Sequence, residues 1–105
     1  MDLKTKTNGK KRILILSDEV SGLDSIKLSK SLQSYKTSKY DEIIIDLSNV
    51  EYADSSCLGV LIYSQILLSK YDKKITLAAP KKYVRRIFRD FSFNEIFEIV
   101  ETYES

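Results

Sequence analysis

The chain has 105 residues, enough for one domain with a true core and too few for two. It carries 17 Lys and Arg against 15 Asp and Glu, a net charge of +2 that prescribes neither nucleic acid nor a membrane as partner. With no histidine and a single cysteine, Cys57, it lacks His-based general acid–base chemistry, His metal sites, an internal disulfide and a cysteine zinc site.

"LKTKT-NG-KKRILIL" predicts a β-hairpin. Asn8-Gly9 offers the positive φ angles of a type I′ turn, and the weakly alternating first strand is expected at an edge. "SDEVSG" follows as a loop. "LDSIKLSKSLQSY" predicts a helix with Leu23, Ile26, Leu28, Leu32 and Tyr35 near helical spacing, and Asp24 or Ser25 near its start. "EIIIDL", Glu42 to Leu47, reads as a strand buried on both faces. A helix is expected from about Ser55 to Tyr71, then a strand in "KKITLAA". Pro80 ends that strand and can begin the helix "KKYVRRIFRDF", whose Val84, Ile87, Phe88 and Phe91 share a face. A short strand around "FEIVE" is last. The order β-β-α-β-α-β-α-β implies an α/β fold: a mixed, mostly parallel sheet with an N-terminal hairpin and helices packed against it. The N-terminus is charged and lacks a signal-peptide core, and no apolar stretch is long enough to span a bilayer. A single domain over 1–105 without direct membrane insertion, in the reducing cytoplasm, is the expectation.

"ADSSCLGV" draws attention because an acid and two serines lead into an apolar helix. Asp54 or Ser55 is a good N-cap, although Cys57 and Leu58 stand where a capping box would have Glu or Gln. A serine here is also well placed to carry phosphate, since free N–H groups and the helix dipole favour negative charge. A helical wheel at about 100° per residue gathers Gly59, Ile62, Tyr63, Ile66 and Leu67 on one side, expected on the sheet. Cys57, Leu61, Ser64, Gln65 and Leu68 gather opposite, as a mixed face headed by Ser55 that would suit a partner.

"IIIDLSNVEYADSSCLGVLI" resembles the signature of STAS domains, in particular of small bacterial anti-sigma factor antagonists. Asp46-Leu47, Asp54-Ser55-Ser56 and Leu58-Gly59 match its pattern, and the likeness runs over nearly the whole chain. The resemblance implies the STAS fold and a partner-switching module without catalytic activity or cofactor. Ser55 would be phosphorylated by an anti-sigma factor that is itself a serine kinase. The unmodified protein would bind that factor and release the sigma factor, phosphate would block binding, and a metal-dependent phosphatase of PP2C type would reset the switch. Asp54 would shape the acceptor loop, and Asp54 and Ser56 are both expected in the partner contact; Ser56 is given no acceptor role.

Three departures stand out. Cys57 replaces the family's glycine and adds a side chain where a partner is expected to approach. In the loop after the second strand, usually Gly-Glu-Leu-Asp, Glu19 and Val20 match, while Asp18 replaces the glycine and Ser21 the acid, so Glu19 is the expected partner contact. The family's C-terminal helix is expected to be shortened or missing. A STAS module that meets no kinase, in a signalling scaffold or a lipid-transport complex, is the alternative. "KKYVRRIFR" reads as a solvated amphipathic helix, because acidic residues follow it and no base-stacking set accompanies it for nucleic acid. A Ser55 nucleophile would need a lysine base that nothing places, and Gly9, Gly22 and Gly59 are too scattered for a phosphate-gripping loop.

Overall fold

The computed structural model describes residues 1–104. Its elements are β1 (Asp2–Asn8), β2 (Lys11–Val20), α1 (Asp24–Gln33), β3 (Glu42–Ala53), α2 (Ser55–Ser69), β4 (Lys74–Ala78), α3 (Lys82–Asp90), a 3-10 turn (Phe93–Glu95) and β5 (Glu98–Val100). The predicted order holds, and the 3-10 turn is the one element the sequence reading lacked.

The five strands lie in sequence order across one sheet, β1-β2-β3-β4-β5. Only the β1–β2 pair is antiparallel. Each parallel crossover steps one strand in the same direction, so a common handedness puts all three helices on one face. That face holds the main core, in which Leu14, Leu16, Ile43, Ile45, Ile75 and Leu77 of the sheet meet Leu28, Leu32, Leu61, Leu68, Val84 and Phe88 of the helices. Phe93 stacks on Phe88 with ring centroids 4.8 Å apart, which gives the 3-10 turn its anchor. The opposite face carries only a small cluster, Ile13, Ile44 and Ala78, with Ile15, Val100 and Tyr103 against it.

Several features differ from expectation. β3 runs on to Ala53, past its predicted end at Leu47, because its mostly polar last residues pair with β2. The hairpin turn is Gly9-Lys10, with Asn8 paired to Lys11 inside the ladder. Gly9 has φ 61° and no other residue of the turn is positive, which fits type II′ instead of type I′. "SDEV" is strand, because β2 continues beside the long β3 through register shifts at Ile15/Ser17 and Asp18/Glu19. Asp18, standing where the family pattern has glycine, takes φ 66° at that irregularity; a short Asp side chain tolerates the left-handed region better than most. Of the apolar residues at helical spacing, Leu23 and Ile26 are exposed, and α1 buries Leu28 and Leu32.

Candidate functional site

β3 ends at Ala53, and the chain passes through one extended residue, Asp54, into α2. The backbone N–H of Asp54 still donates to Val20 O at 3.0 Å, so the helix start is fixed to the end of β2. Asp54 is the N-cap. Its Oδ1 accepts from Cys57 N at 3.1 Å and from Ser56 Oγ at 2.7 Å, and its Oδ2 accepts from Gly22 N at 2.8 Å. Gly22 has φ 58°, so its lack of a side chain lets the β2–α1 loop turn its amide toward that carboxylate. The hydrogen bonds from Gly22, Ser56 and Cys57 hold the Asp54 carboxyl far below the usual carboxylate range. One carboxylate, charged at neutral pH, thus ties the β2–α1 loop to the start of α2.

The two serines part company here. Ser56 gives its hydroxyl proton to Asp54. Ser55, the first residue of α2, is exposed, and its hydroxyl has no partner among the described residues. It stands at one wall of an open apolar groove of about 210 Å³, lined by Ser55, Leu58, Gly59, Ile62, Phe91 and Phe93. Glu19 is exposed at the end of β2, paired in register with Tyr52 of β3.

The wheel assignment of α2 is inverted in the structure. Cys57, Leu61, Ser64 and Leu68 are buried, at 1%, 4%, 0% and 0% exposure, so they cannot form the predicted partner face. Gln65 is half-buried and structural: its Oε1 accepts from Ile75 N at 2.8 Å and its Nε2 donates to Ile96 O at 3.2 Å. The outward residues are Gly59, Tyr63 and Ile66, with Ile62 and Leu67 half-buried at the margins. The cause lies in composition. α2 is apolar nearly all round, so its own pattern does not orient it; α1 and β4 do. Cys57 points inward, and burial, then the Asp54 carboxylate, push its thiol up to about 11. It is a neutral core residue at physiological pH and adds nothing to the surface beside Ser55.

Sequence reasoning also missed Phe91. Helical spacing sets it on one face with Val84, Ile87 and Phe88, yet it is 62% exposed and lines the groove beside Ser55. Its position one residue beyond the last turn of α3 is the signal, because a residue past the helix end leaves the helical wheel.

A family model for the STAS domain matches residues 2–105. Among solved structures, TM1081 of Thermotoga maritima superposes with a TM-score of 0.86 at 24% identity, covering 95% of this chain and 86% of that one. An anti-sigma factor antagonist from Mycobacterium paratuberculosis gives 0.85 at 19% identity, over 96% of this chain and 86% of the other. The anti-sigma factor antagonist SpoIIAA in its unphosphorylated form gives 0.82 at 14% identity, over 95% and 89%. Its phosphorylated form, from Bacillus, gives 0.75 at 13% identity, over 95% and 92%.

Proposed function

Because the chain belongs to the STAS domain family, we propose that it is an anti-sigma factor antagonist switched by phosphorylation of Ser55. In the unmodified state it binds an anti-sigma factor with serine kinase activity and releases the sigma factor. Phosphate on Ser55 ends that binding, and a PP2C-type phosphatase restores it. The protein acts in the cytoplasm as a binding module, without an activity of its own.

The observation that carries this reading is the contrast between the serines: Ser56 is engaged by Asp54, and Ser55 is free at the helix tip beside an apolar groove. A phosphoserine adds about −1.5 to −2 charges at neutral pH. The N-terminus of α2 tolerates that charge on its unpaired N–H groups, so the domain keeps its fold. A partner packed against a neutral serine does not, since it meets bulk, a desolvation cost and the nearby Asp54 carboxylate together. SpoIIAA, solved in both forms, shares this fold in each, in keeping with a switch that changes the surface alone. Cys57 in place of the family's glycine leaves the switch surface unaltered, because its side chain is buried.

The test is incubation with an anti-sigma serine kinase and ATP, followed by mass spectrometry. One phosphate on Ser55 is expected, lost in Ser55→Ala and retained in Ser56→Ala. Unmodified Ser55, under conditions where the same kinase modifies another antagonist, overturns the proposal.

A further inference from the structure

α3 is the most sharply two-sided helix of the chain. Val84 and Phe88 are buried beneath it, while Lys82, Arg85, Arg86 and Arg89 are exposed on its outside. Two of its neighbouring cations are already matched, Arg85 with Glu101 and Lys81 with Glu51. Lys82, Arg86 and Arg89 have no ion-pair partner among the described residues. A surface depression of about 460 Å³ runs between Lys82, Arg85, Arg86, Arg89 and Asp90. The helix is joined to the switch at both ends. Tyr83 in its first turn stacks on Tyr52, two residues before Asp54, with centroids 6.1 Å apart, and Phe91 just past its last turn walls the groove of Ser55.

We propose that the outer face of α3 is the second half of the docking surface and takes a carboxylate-rich protein surface on the partner that reads Ser55. This deepens the antagonist reading and rests on it. Two observations select a protein over other anions. Carboxylates stand on the same helix and beside its cations, Asp90 in the depression itself, Glu101 on Arg85 and Glu51 on Lys81, so an extended polyanion such as a nucleic-acid duplex or an anionic bilayer would meet carboxylates as well. The apolar face of α3 is used up in the core, leaving no stripe to enter lipid. A local acidic patch can address Lys82, Arg86 and Arg89 alone, and arginine's planar fork matches carboxylates bidentately. The apolar groove at Ser55 then supplies contact area, and α3 supplies orientation and association rate.

The decisive variant is the double charge reversal Arg86→Glu with Arg89→Glu, both surface positions, with folding checked by circular dichroism. Purified serine-kinase anti-sigma factors of the source genome are titrated against wild type, this variant and Ser55→Asp, at low and high salt. A labelled glutamate-rich peptide, a DNA duplex and phosphatidylserine vesicles are titrated in parallel. Expected is a loss of about tenfold in affinity for the kinase at low salt, with a flattened salt dependence, and peptide binding that the reversal abolishes. Peptide binding equal in wild type and variant, or a duplex or vesicles bound more tightly than the peptide, overturns the inference. If wild type binds no kinase, the antagonist reading fails, and the peptide arm still decides the α3 surface.

Discussion

Asp54 holds three donors on two oxygens, and each of those bonds is to the ionised form. Its folded-state pKa lies below the ordinary 3.8, so on acidification the unfolded chain takes up the proton first. The stabilisation is complete above about pH 5 and drains away as pH falls through the depressed folded value. Asp54→Asn therefore lowers the urea midpoint at pH 7, and its gap to wild type narrows between about pH 5 and 2. A constant gap across that range would mean the carboxylate is not ionised for these donors. The neighbouring Cys57 is a packing residue in the first turn of α2. Restoring the family's glycine, Cys57→Gly, removes buried volume and adds backbone freedom, a loss of about 1–2 kcal/mol in chemical denaturation. Ser55 phosphorylation by the kinase is expected to proceed at an unchanged rate, because no surface atom is altered.

At the scale of elements, α2 separates what the sequence determines from what it leaves open. Its existence was legible, and its cap was narrowed to Asp54 or Ser55, since these precede an apolar run without proline up to Tyr71. Its facing was not. Ser64 and Gln65 suggest a polar outer side, yet Ser64 is buried and Gln65 bridges to β4 and to Ile96. A substitution pair checks the corrected facing: Leu68→Ala costs about 2–4 kcal/mol, and Ile66→Ala, 53% exposed in the wild type, stays within about 0.5 kcal/mol. A larger loss for Ile66→Ala than for Leu68→Ala would restore the original wheel, and equal losses would overturn the corrected facing. The strand cores were legible from their β-branched residues, whereas β2 and β3 both run past their predicted ends at Leu16 and Leu47, because their last residues are mostly polar and owe their conformation to pairing with each other. The β4–α3 junction hides a further feature that no local pattern announces: Ala79, before Pro80, takes φ 55° while its N–H donates to Val100 O at 2.8 Å. The left-handed conformation costs a side-chain-bearing residue about 1–2 kcal/mol, partly offset by the greater freedom glycine has when unfolded. Ala79→Gly is expected to stabilise the protein by about 0.5 kcal/mol, read as a raised melting temperature.

For the whole molecule the consequence of a one-way strand order is an unequal sheet: three helices on one face and almost nothing on the other. The bare face is closed by the segment after β5, where Tyr103 packs against the cluster of Ile13, Ile44 and Ala78. Its hydroxyl donates to Asp46 Oδ2, and the Lys6 ammonium sits 5.5 Å from the centre of its ring. Burial raises the cost of ionising Asp46, but the hydrogen bonds from Tyr103 and Ser48 outweigh it and leave the carboxyl below its ordinary value. Burial first, then the hydrogen bond to that carboxylate, push Tyr103 up to about 12 from an ordinary 10.0. A raised folded-state pKa means stability that is complete below about pH 10 and is lost as pH rises toward 12. Tyr103→Phe keeps the packing and removes the donor. Asp46 Oδ1 keeps Ser48 N at 2.9 Å and Ser48 Oγ at 2.7 Å, so the expected loss at neutral pH is only about 1 kcal/mol. The difference between wild type and variant should then shrink from pH 10 to pH 12, where wild type alone must ionise this phenol. A variant as stable as wild type at pH 7 would show that the ring's packing, without its hydroxyl, is enough to close the second face of the sheet.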